Sequence, residues 1–232
     1  MSSKEVRGAF ITLEGGEGAG KSTQVRHIVE RLRSANISAI ATREPGGSPR
    51  AEALRELLLS GAAKSLGPKA EAILFSAARI DHLDKTIKPA LAAGTWVVSD
   101  RFSDSTRAYQ GLLGDLDPRF LRALERVTLA GTRPDLTLIL DLPARIGLSR
   151  ATKRRSVNTA PDRFEAEGLD FHEGLRTAFL DIAAAEPERC VIVDADQSEA
   201  EVAQAIWDAI LYRLLRRRDK ESAALRDDLH GE

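Results

Sequence analysis

An eight-residue stretch near the amino terminus has the composition of a phosphate-binding loop. Residues 15–22 read GGEGAGKS and match the pattern G-x-x-x-x-G-K-[ST]. Glycines allow a backbone to wrap around phosphate oxygens with its N–H groups directed inward, and a helix that begins near Lys21 adds the positive end of its dipole. Lys21 would reach the outer phosphates of a nucleotide, and Ser22 would bind Mg²⁺. The predicted phosphate-binding residues are Gly15, Gly16, Glu17, Gly18, Ala19, Gly20, Lys21, Ser22 and Thr23.

The surroundings of this loop favour nucleotide binding over a glycine-rich turn that contains Lys and Ser by chance. An apolar run at 9–14 precedes the loop, and apolar residues at helical spacing follow it. Regulatory GTPases and motor ATPases have the same kind of loop. A GTPase would normally carry an Asn-Lys-x-Asp tetrad, which this sequence lacks, and a motor ATPase is usually longer. The loop therefore predicts nucleotide binding but leaves the reaction open.

Charged residues also lie where predicted strands end. Asp100 ends the apolar run 95–100, and Arg101 follows it. Ligands of open α/β sheets bind at the carboxyl ends of strands. A carboxylate there can hold Mg²⁺, and a neighbouring guanidinium offers a fork for phosphate, although a purely structural Asp–Arg pair is the alternative. Asp141 ends another apolar run, and we interpret it as structural.

Phe75 and Arg79 lie four residues apart and therefore share one face of a predicted helix. A ring and a guanidinium in this arrangement could stack on a pyrimidine and donate to a base carbonyl. Periodicity alone is more typical of a core phenylalanine and a solvated arginine. The two residues become candidates for base binding only in combination with other segments.

Four segments, taken together with the loop at 15–22, resemble the thymidylate kinases, chiefly those of bacteria. They are TREPGG at 42–47, LFSAAR at 74–79, DRFSDSTRAYQ at 100–110 and DRFE at 162–165. Their order and spacing match the family over roughly residues 8–212. The resemblance implies an enzyme that transfers the γ-phosphoryl group of ATP to dTMP and gives dTDP for dTTP synthesis, with Mg²⁺ as cofactor. Another nucleoside monophosphate or deoxynucleoside kinase is the close alternative, and a slow P-loop switch or binding module is the alternative from another class.

The resemblance also implies roles for individual residues. Glu17 would lie against the sugar 3′-hydroxyl, Arg101 would contact the acceptor phosphate, and Tyr109 would crowd the sugar 2′ position. Arg43 would either contact phosphate or shape its turn, and adenine would lie near residues 194–197. The predicted dTMP-binding residues are Glu17, Arg43, Phe75, Arg79, Arg101, Thr106, Tyr109 and Gln110, and the predicted metal ligands are Ser22 and Asp100.

A basic segment following the fourth predicted strand is expected to form a lid. Members of the family with an arginine in the phosphate loop supply a catalytic cation from there, and this loop has none. The cations should then come from the lid at about 150–165. The predicted catalytic residues are Lys21, Arg101, Arg150, Arg154, Arg155 and Arg163.

The elements that would position these residues alternate along the chain. Short apolar runs at 9–14, 38–42, 95–100, 136–141 and 191–194 are separated by stretches with helical spacing. This pattern predicts an α/β fold, a three-layer α/β/α P-loop NTPase with a five-stranded parallel sheet and a short lid. We expect one domain over 1–215 and a charged tail at 216–232, which has few apolar residues to bury.

Composition narrows the possible partners and location. The 232 residues carry a formal net charge of -1, so no overall basic field draws the chain to nucleic acid or membrane. The single cysteine, Cys190, excludes an intramolecular disulfide and fits a reducing compartment. We see no signal peptide and no membrane-spanning apolar run, so we expect a soluble, cytoplasmic protein. The family resemblance suggests a homodimer formed through helices.

Overall fold

The computed structural model describes residues 7–154 and 164–215, without the side chains of 112–114 and 154. A five-stranded sheet runs through it, and the strands are β1 (Phe10–Glu14), β2 (Ala39–Arg43), β3 (Trp96–Asp100), β4 (Leu136–Asp141) and β5 (Cys190–Asp194). All pairings are parallel, in the order β2-β3-β1-β4-β5. The predicted parallel sheet is confirmed, with the predicted strand limits within one residue of the observed ones.

Helices connect these strands and cover both faces of the sheet. Their limits are α1 (Lys21–Ser34), α2 (Pro49–Leu59), α3 (Pro68–His82), α4 (Lys88–Ala92), α5 (Ser103–Gly114), α6 (Pro118–Leu129), α7 (Ala144–Arg154), α8 (Leu169–Ala185) and α9 (Glu199–Ile210). A 3₁₀ turn spans Ala62–Leu66, and π-helical turns at Leu83–Ile87 and Leu211–Leu215 extend α3 and α9.

Alternate residues of β1 enter two different cores. Ile11 packs in a cluster that includes Leu32 of α1 and Ile206 of α9. Phe10 packs on the other face of the sheet, in a cluster that includes Leu83 and Leu129. Because a strand directs successive side chains to opposite faces, a central strand with both faces buried needs helices on each side. The predicted three-layer α/β/α architecture is confirmed.

Two further observations bear on the predicted organisation. The lid predicted at about 150–165 begins inside α7, and most of its remainder lies outside the described residues. The predicted tail at 216–232 also lies outside them, so the domain limits stay a prediction. Among the described helices, none is both long and apolar enough to cross a membrane.

Candidate active site

A cleft of about 390 Å³ opens at the carboxyl ends of β1, β2 and β3. It lies where parallel α/β sheets bind ligands, since the loops that leave these strands converge there. Most of the residues predicted to bind nucleotides line it, from both the donor and the acceptor sets. These are Glu17, Gly18, Ala19, Gly20, Lys21, Ser22, Arg43, Phe75, Arg79, Asp100, Arg101, Thr106, Tyr109 and Gln110.

The phosphate loop needs its glycines because of close backbone contacts. Gly18 has a φ of 69°, and a side chain there would overlap the carbonyl group of Gly147 in α7. A side chain on Gly147 would in turn overlap the carbonyl oxygen of Glu17. Gly20, with a φ of 87°, turns the chain into α1 at Lys21. The first turn of α1 therefore directs its free N–H groups toward the cleft side of the loop.

Lys21 is buried against the loop that it belongs to. Its Nζ donates hydrogen bonds to the carbonyl oxygens of Gly15 and Gly16, at 3.1 and 2.7 Å. Burial, together with the positive charge of Arg101, lowers the pKa of Lys21, while the charges of Glu17 and Asp100 act in the opposite direction. The ammonium group is thus held in place before any phosphate binds.

The two predicted metal ligands lie side by side. Ser22 Oγ donates a hydrogen bond of 2.5 Å to Asp100 Oδ2, which joins the start of α1 to the end of β3. A hydroxyl and a carboxylate suit Mg²⁺, which usually takes one or two protein oxygens and completes its shell with phosphates and water. No group of three His, Cys, Asp or Glu residues within the described part of the chain could hold a metal ion. Ser22 and Asp100 offer two oxygens, a donor set that fits Mg²⁺ shared with phosphates and water.

Glu17, Arg101 and Tyr109 form one hydrogen-bonded group in the cleft. Arg101 Nη2 donates to Glu17 Oε1 at 2.6 Å, and the Tyr109 hydroxyl donates to the same oxygen at 2.9 Å. The Arg101 guanidinium also lies 5.0 Å from the centre of the Tyr109 ring. Arg101 has a φ of 70°, an uncommon conformation that is often found at functional sites.

Glu17 and Arg101 stabilise each other's charged forms. Burial opposes ionisation of Glu17, but the charges of Arg101 and Lys21 outweigh it and lower the pKa of Glu17 to about 2. Burial would also disfavour the charged form of Arg101, yet its neighbours raise the pKa of Arg101 above its usual value. Both groups are therefore charged at neutral pH.

Arg79 and Phe75 approach the cleft from α3. Arg79 donates from Nε to Glu44 Oε2 at 2.6 Å, and from Nη2 to the carbonyl oxygen of Phe102 and to Thr106 Oγ1. Phe75 lies four residues before Arg79 and therefore on the same face of α3. The centre of its ring is 6.4 Å from that of Phe164. The sequence alone was more typical of a solvated arginine, but this arginine is buried.

The remaining acceptor-side predictions divide between α5 and the turn after β2. Thr106, Tyr109 and Gln110 occupy one face of α5 and all line the cleft. Arg43 also lines it, but its Nη2 donates to Glu52 Oε2 at 3.0 Å, and Glu52 Oε1 accepts from the backbone N–H of Gly47. These bonds brace the turn, and a contact of Arg43 with phosphate stays a prediction.

Sequence reasoning assigned no role to Glu14, which ends β1 beneath the cleft. Its Oε1 accepts from the backbone N–H of Phe102 at 2.8 Å, and its Oε2 accepts from Ser105 Oγ at 2.7 Å. Burial and the nearby charge of Asp104 raise the pKa of Glu14 to about 7. An ionisable residue at the end of an otherwise apolar strand was the available signal. Sequence reasoning also assigned no individual role to Glu44 or His82.

Of the predicted lid cations, only Arg150 has its side chain within the described residues. Arg150 donates to the carbonyl oxygen of Ala195 at 3.0 Å and to Asp196 Oδ1 at 3.3 Å, so it lies beside the segment predicted for adenine and does not line the cleft. The side chain of Arg154 and residues Arg155 and Arg163 lie outside the described residues. Gly15, Gly16 and Thr23 belong to the loop and α1 without lining the cleft.

Asp141 makes a two-bond ion pair with an arginine of α8. Arg176 donates to its two carboxylate oxygens from Nε and Nη2, at 2.6 and 2.9 Å. The pair ties the end of β4 to the helix that packs on it, which supports the structural interpretation of Asp141.

Comparison with known proteins agrees with these observations. A sequence model of the family described as "Thymidylate kinase" matches residues 13–206. The thymidylate kinase of Nitrobacter hamburgensis is 58% identical over 210 residues, which cover 90% of this chain and 91% of that protein. The thymidylate kinase of Bradyrhizobium diazoefficiens is 56% identical over 209 residues, with 90% and 91% covered. The crystal structure of thymidylate kinase from Ehrlichia chaffeensis matches with a TM-score of 0.71 at 31% identity, over 88% of this chain and 99% of that one.

Proposed function

The chain belongs to the thymidylate kinase family, and we propose that the cleft described above is where it performs the family's reaction. The enzyme transfers the γ-phosphoryl group of ATP to dTMP and produces dTDP for dTTP synthesis. The observation that supports the proposed site is that the donor loop and the acceptor segments line one cleft. Lys21 and Ser22 meet Asp100, Arg101 and Tyr109 there.

On the donor side, we propose that the loop and the start of α1 hold the phosphates of ATP. Lys21 would exchange its bonds to the Gly15 and Gly16 carbonyls for bonds to phosphate oxygens. Ser22 and Asp100 are the residues that would hold Mg²⁺. When bound, Mg²⁺ supplies positive charge that offsets the negative charge on the phosphate oxygens.

On the acceptor side, the Glu17–Arg101–Tyr109 group would bind the sugar and phosphate of dTMP. Arg101 carries a permanent charge and a planar fork of donors, which suit a phosphate. Glu17 is an ionised acceptor and suits a sugar hydroxyl. Tyr109, which lines the same cleft, would limit the space beside the sugar and favour deoxyribose.

The thymine base would lie between Phe75 and Arg79. Phe75 provides an apolar face for stacking, which gives affinity for any base and no choice among them. Arg79 is a pure donor, so it suits the O4 carbonyl of thymine and opposes the 4-amino group of cytosine. Thr106 already bonds Arg79 and would help to define the base edge.

The reaction proposed for this cleft is an in-line displacement. An oxygen of the acceptor phosphate attacks the γ-phosphorus, the bond from that phosphorus to the β–γ bridging oxygen breaks, and ADP leaves. The protein contributes positioning and charge, because the transition state needs little covalent help. Lys21, Arg101 and the lid cations Arg154, Arg155 and Arg163 would supply that charge. Arg150 remains a predicted contributor, placed beside the adenine segment.

We also propose a homodimer, supported by an apolar stripe on α3. Ile73, Ala77 and Ile80 are exposed at a spacing that puts them on one helix face, and Val127 of the neighbouring α6 is exposed as well. A second copy of the chain would bury such a stripe by two-fold pairing. Location in the cytoplasm stays a prediction, which the single cysteine supports.

The proposed function is tested by measuring ADP formation with dTMP, dUMP, dCMP and UMP. We expect the highest kcat/KM with dTMP and a loss of roughly ten- to a hundred-fold with dCMP, the cost of a mispaired buried donor. The Lys21→Ala variant should fold but lose on the order of 10²–10³ in rate. Equal use of dCMP and dTMP, or near-normal turnover by Lys21→Ala, would contradict the proposal. A rate of ADP formation that does not change when dTMP is added would indicate a switch or binding module.

A further inference from the structure

A buried chain of hydrogen bonds connects β2 to the cleft-lining Arg79. Glu44 and His82 are its central members, and their side chains are 4% and 0% exposed. Glu44 Oε2 accepts from Arg79 Nε at 2.6 Å, and Glu44 Oε1 lies 3.0 Å from His82 Nδ1. His82 Nε2 lies 2.7 Å from Thr42 Oγ1.

The carboxylate of Glu44 fixes the direction of the two bonds that it makes. Glu44 pairs with Arg79 and, as a carboxylate, only accepts, so His82 Nδ1 is the donor to it. The hydroxyl of Thr42, which can donate or accept, completes the hydrogen bonding of the ring at Nε2. Every polar atom of the His82 ring is thereby used, in a site that excludes other partners. Gly47 makes room for this, since a side chain there would overlap His82 and Thr42.

The chain of bonds determines which donors of Arg79 are free. Glu44 occupies Nε, while the Phe102 carbonyl and Thr106 share Nη2. Nη1 makes no hydrogen bond to any of the described residues. A guanidinium held at two of its three nitrogens cannot rotate, so the remaining N–H groups keep one direction. Without Glu44, the same side chain could turn and offer its donors elsewhere.

We infer that Glu44 and His82 are positioning residues for base selection, which hold Arg79 so that it donates to a thymine carbonyl and excludes the cytosine amino group. This inference rests on the proposed base-binding role of Arg79. Glu44 also lines the cleft, but its two oxygens are engaged by Arg79 and His82, so both residues act through Arg79 in this view. His82 lies three residues after Arg79, so α3 carries both the proposed base-binding arginine and one of the residues that position it.

The test measures the ratio of kcat/KM for dTMP over dCMP, together with the KM for ATP. His82→Leu removes the donor to Glu44, and we expect the ratio to fall by about five-fold or more while the KM for ATP stays unchanged. His82→Asn keeps an N–H donor near the position of Nδ1 and should restore most of the ratio. Thr42→Val, at the outer end of the chain of bonds, should lower the ratio less and provides a milder variant.

Leu83→Ala is the matched control for loss of packing. Leu83 is fully buried beside His82 but takes no part in the chain of bonds, so its truncation should lower the melting temperature and leave the ratio unchanged. Arg79→Ala distinguishes the proposed base-binding role of Arg79 from the positioning role of Glu44 and His82. If Arg79→Ala keeps the wild-type ratio, the proposed role of Arg79 fails and this inference fails with it. If Arg79→Ala loses discrimination while His82→Leu and Thr42→Val keep it, only the positioning role is overturned.

Discussion

The ion pair between Glu17 and Arg101 joins the phosphate loop to the segment after β3, inside the cleft proposed for the acceptor. One carboxylate oxygen of Glu17 receives bonds from a guanidinium and a phenol inside the cleft. A pair so placed is costly to break from one side, because the remaining charge stays buried without its partner. The same preorganised charges are what an incoming sugar phosphate would meet.

The stability that Glu17 contributes should depend on pH. Its pKa lies at about 2 in the folded protein against an ordinary value of 4.5, so its contribution is present above pH 4.5 and is lost as the pH falls toward 2. We expect Glu17→Gln to be less stable than wild type at neutral pH by at most about 3 kcal/mol, and the difference to shrink across this window. Urea unfolding of both proteins at a series of pH values measures it.

Glu30→Gln serves as the control for that experiment, since Glu30 is exposed on α1. This variant should differ little from wild type at any pH in the series. A Glu17→Gln deficit that stays constant from pH 6 down to pH 2 would show that the deficit has no connection with ionisation.

Candidate site residues could be predicted from the sequence where a short contiguous motif determines the local backbone structure. The glycines, Lys21 and Ser22 follow from the backbone requirements of a phosphate loop, and Asp100 follows from its place at a strand end. Glu14, Glu44 and His82 could not be assigned roles, because their partners come from segments that are distant in sequence. Glu14 meets Ser105, 91 residues away, and Glu44 meets Arg79, 35 residues away.

Between elements, the contact of the phosphate loop with α7 is unusually close. Gly18 and Gly147 allow two backbones to touch, which fixes the loop against the first turns of α7. The predicted lid continues from this helix.

Gly147→Ala should be destabilising, although alanine normally stabilises a helix interior by about 1 kcal/mol relative to glycine. The added methyl group would overlap the carbonyl oxygen of Glu17, so either α7 or the phosphate loop must shift. We expect a loss of about 1–3 kcal/mol and a lower kcat. Thermal unfolding and steady-state kinetics measure both.

Gly111→Ala is the matched comparison, because Gly111 is also helical and its new methyl group would lie 3.5 Å from Leu121 Cδ1, an ordinary contact. It should be neutral or slightly stabilising. If the two alanine variants behave alike, the close approach of α7 to the loop has no energetic importance.

Element types were predictable from periodicity, whereas burial within them was not. Unbroken apolar runs suggested strands buried on both faces, which holds for β1 but not for the edge strands β2 and β5, where exposed residues interrupt buried ones. Sheet order also could not be read from the runs themselves. It depends on which helices cover which face, and no strand order was predicted.

For the whole molecule, the apolar stripe of α3 predicts assembly. Ile73→Glu combined with Ile80→Glu would place charges in the proposed interface, and we expect the wild-type dimer to become a monomer in sedimentation analysis. Ile192→Glu is the control, because Ile192 on β5 is 50% exposed against 51% for Ile73 and lies off the stripe. A monomeric wild type, or a double variant that stays dimeric, would contradict the proposal.

The order of the strands has a consequence for synthesis on the ribosome. β1 pairs with β3 and β4, and Leu13 lies opposite Asp100, so the first strand made waits for neighbours encoded far downstream. At roughly 5–20 residues per second, about 4 to 17 s pass between the translation of β1 and that of β3. Until then Ser22 has no Asp100 to bond, and an apolar strand has both edges open to chaperones. The phosphate loop and its carboxylate partner can therefore meet only after the first hundred residues have been made.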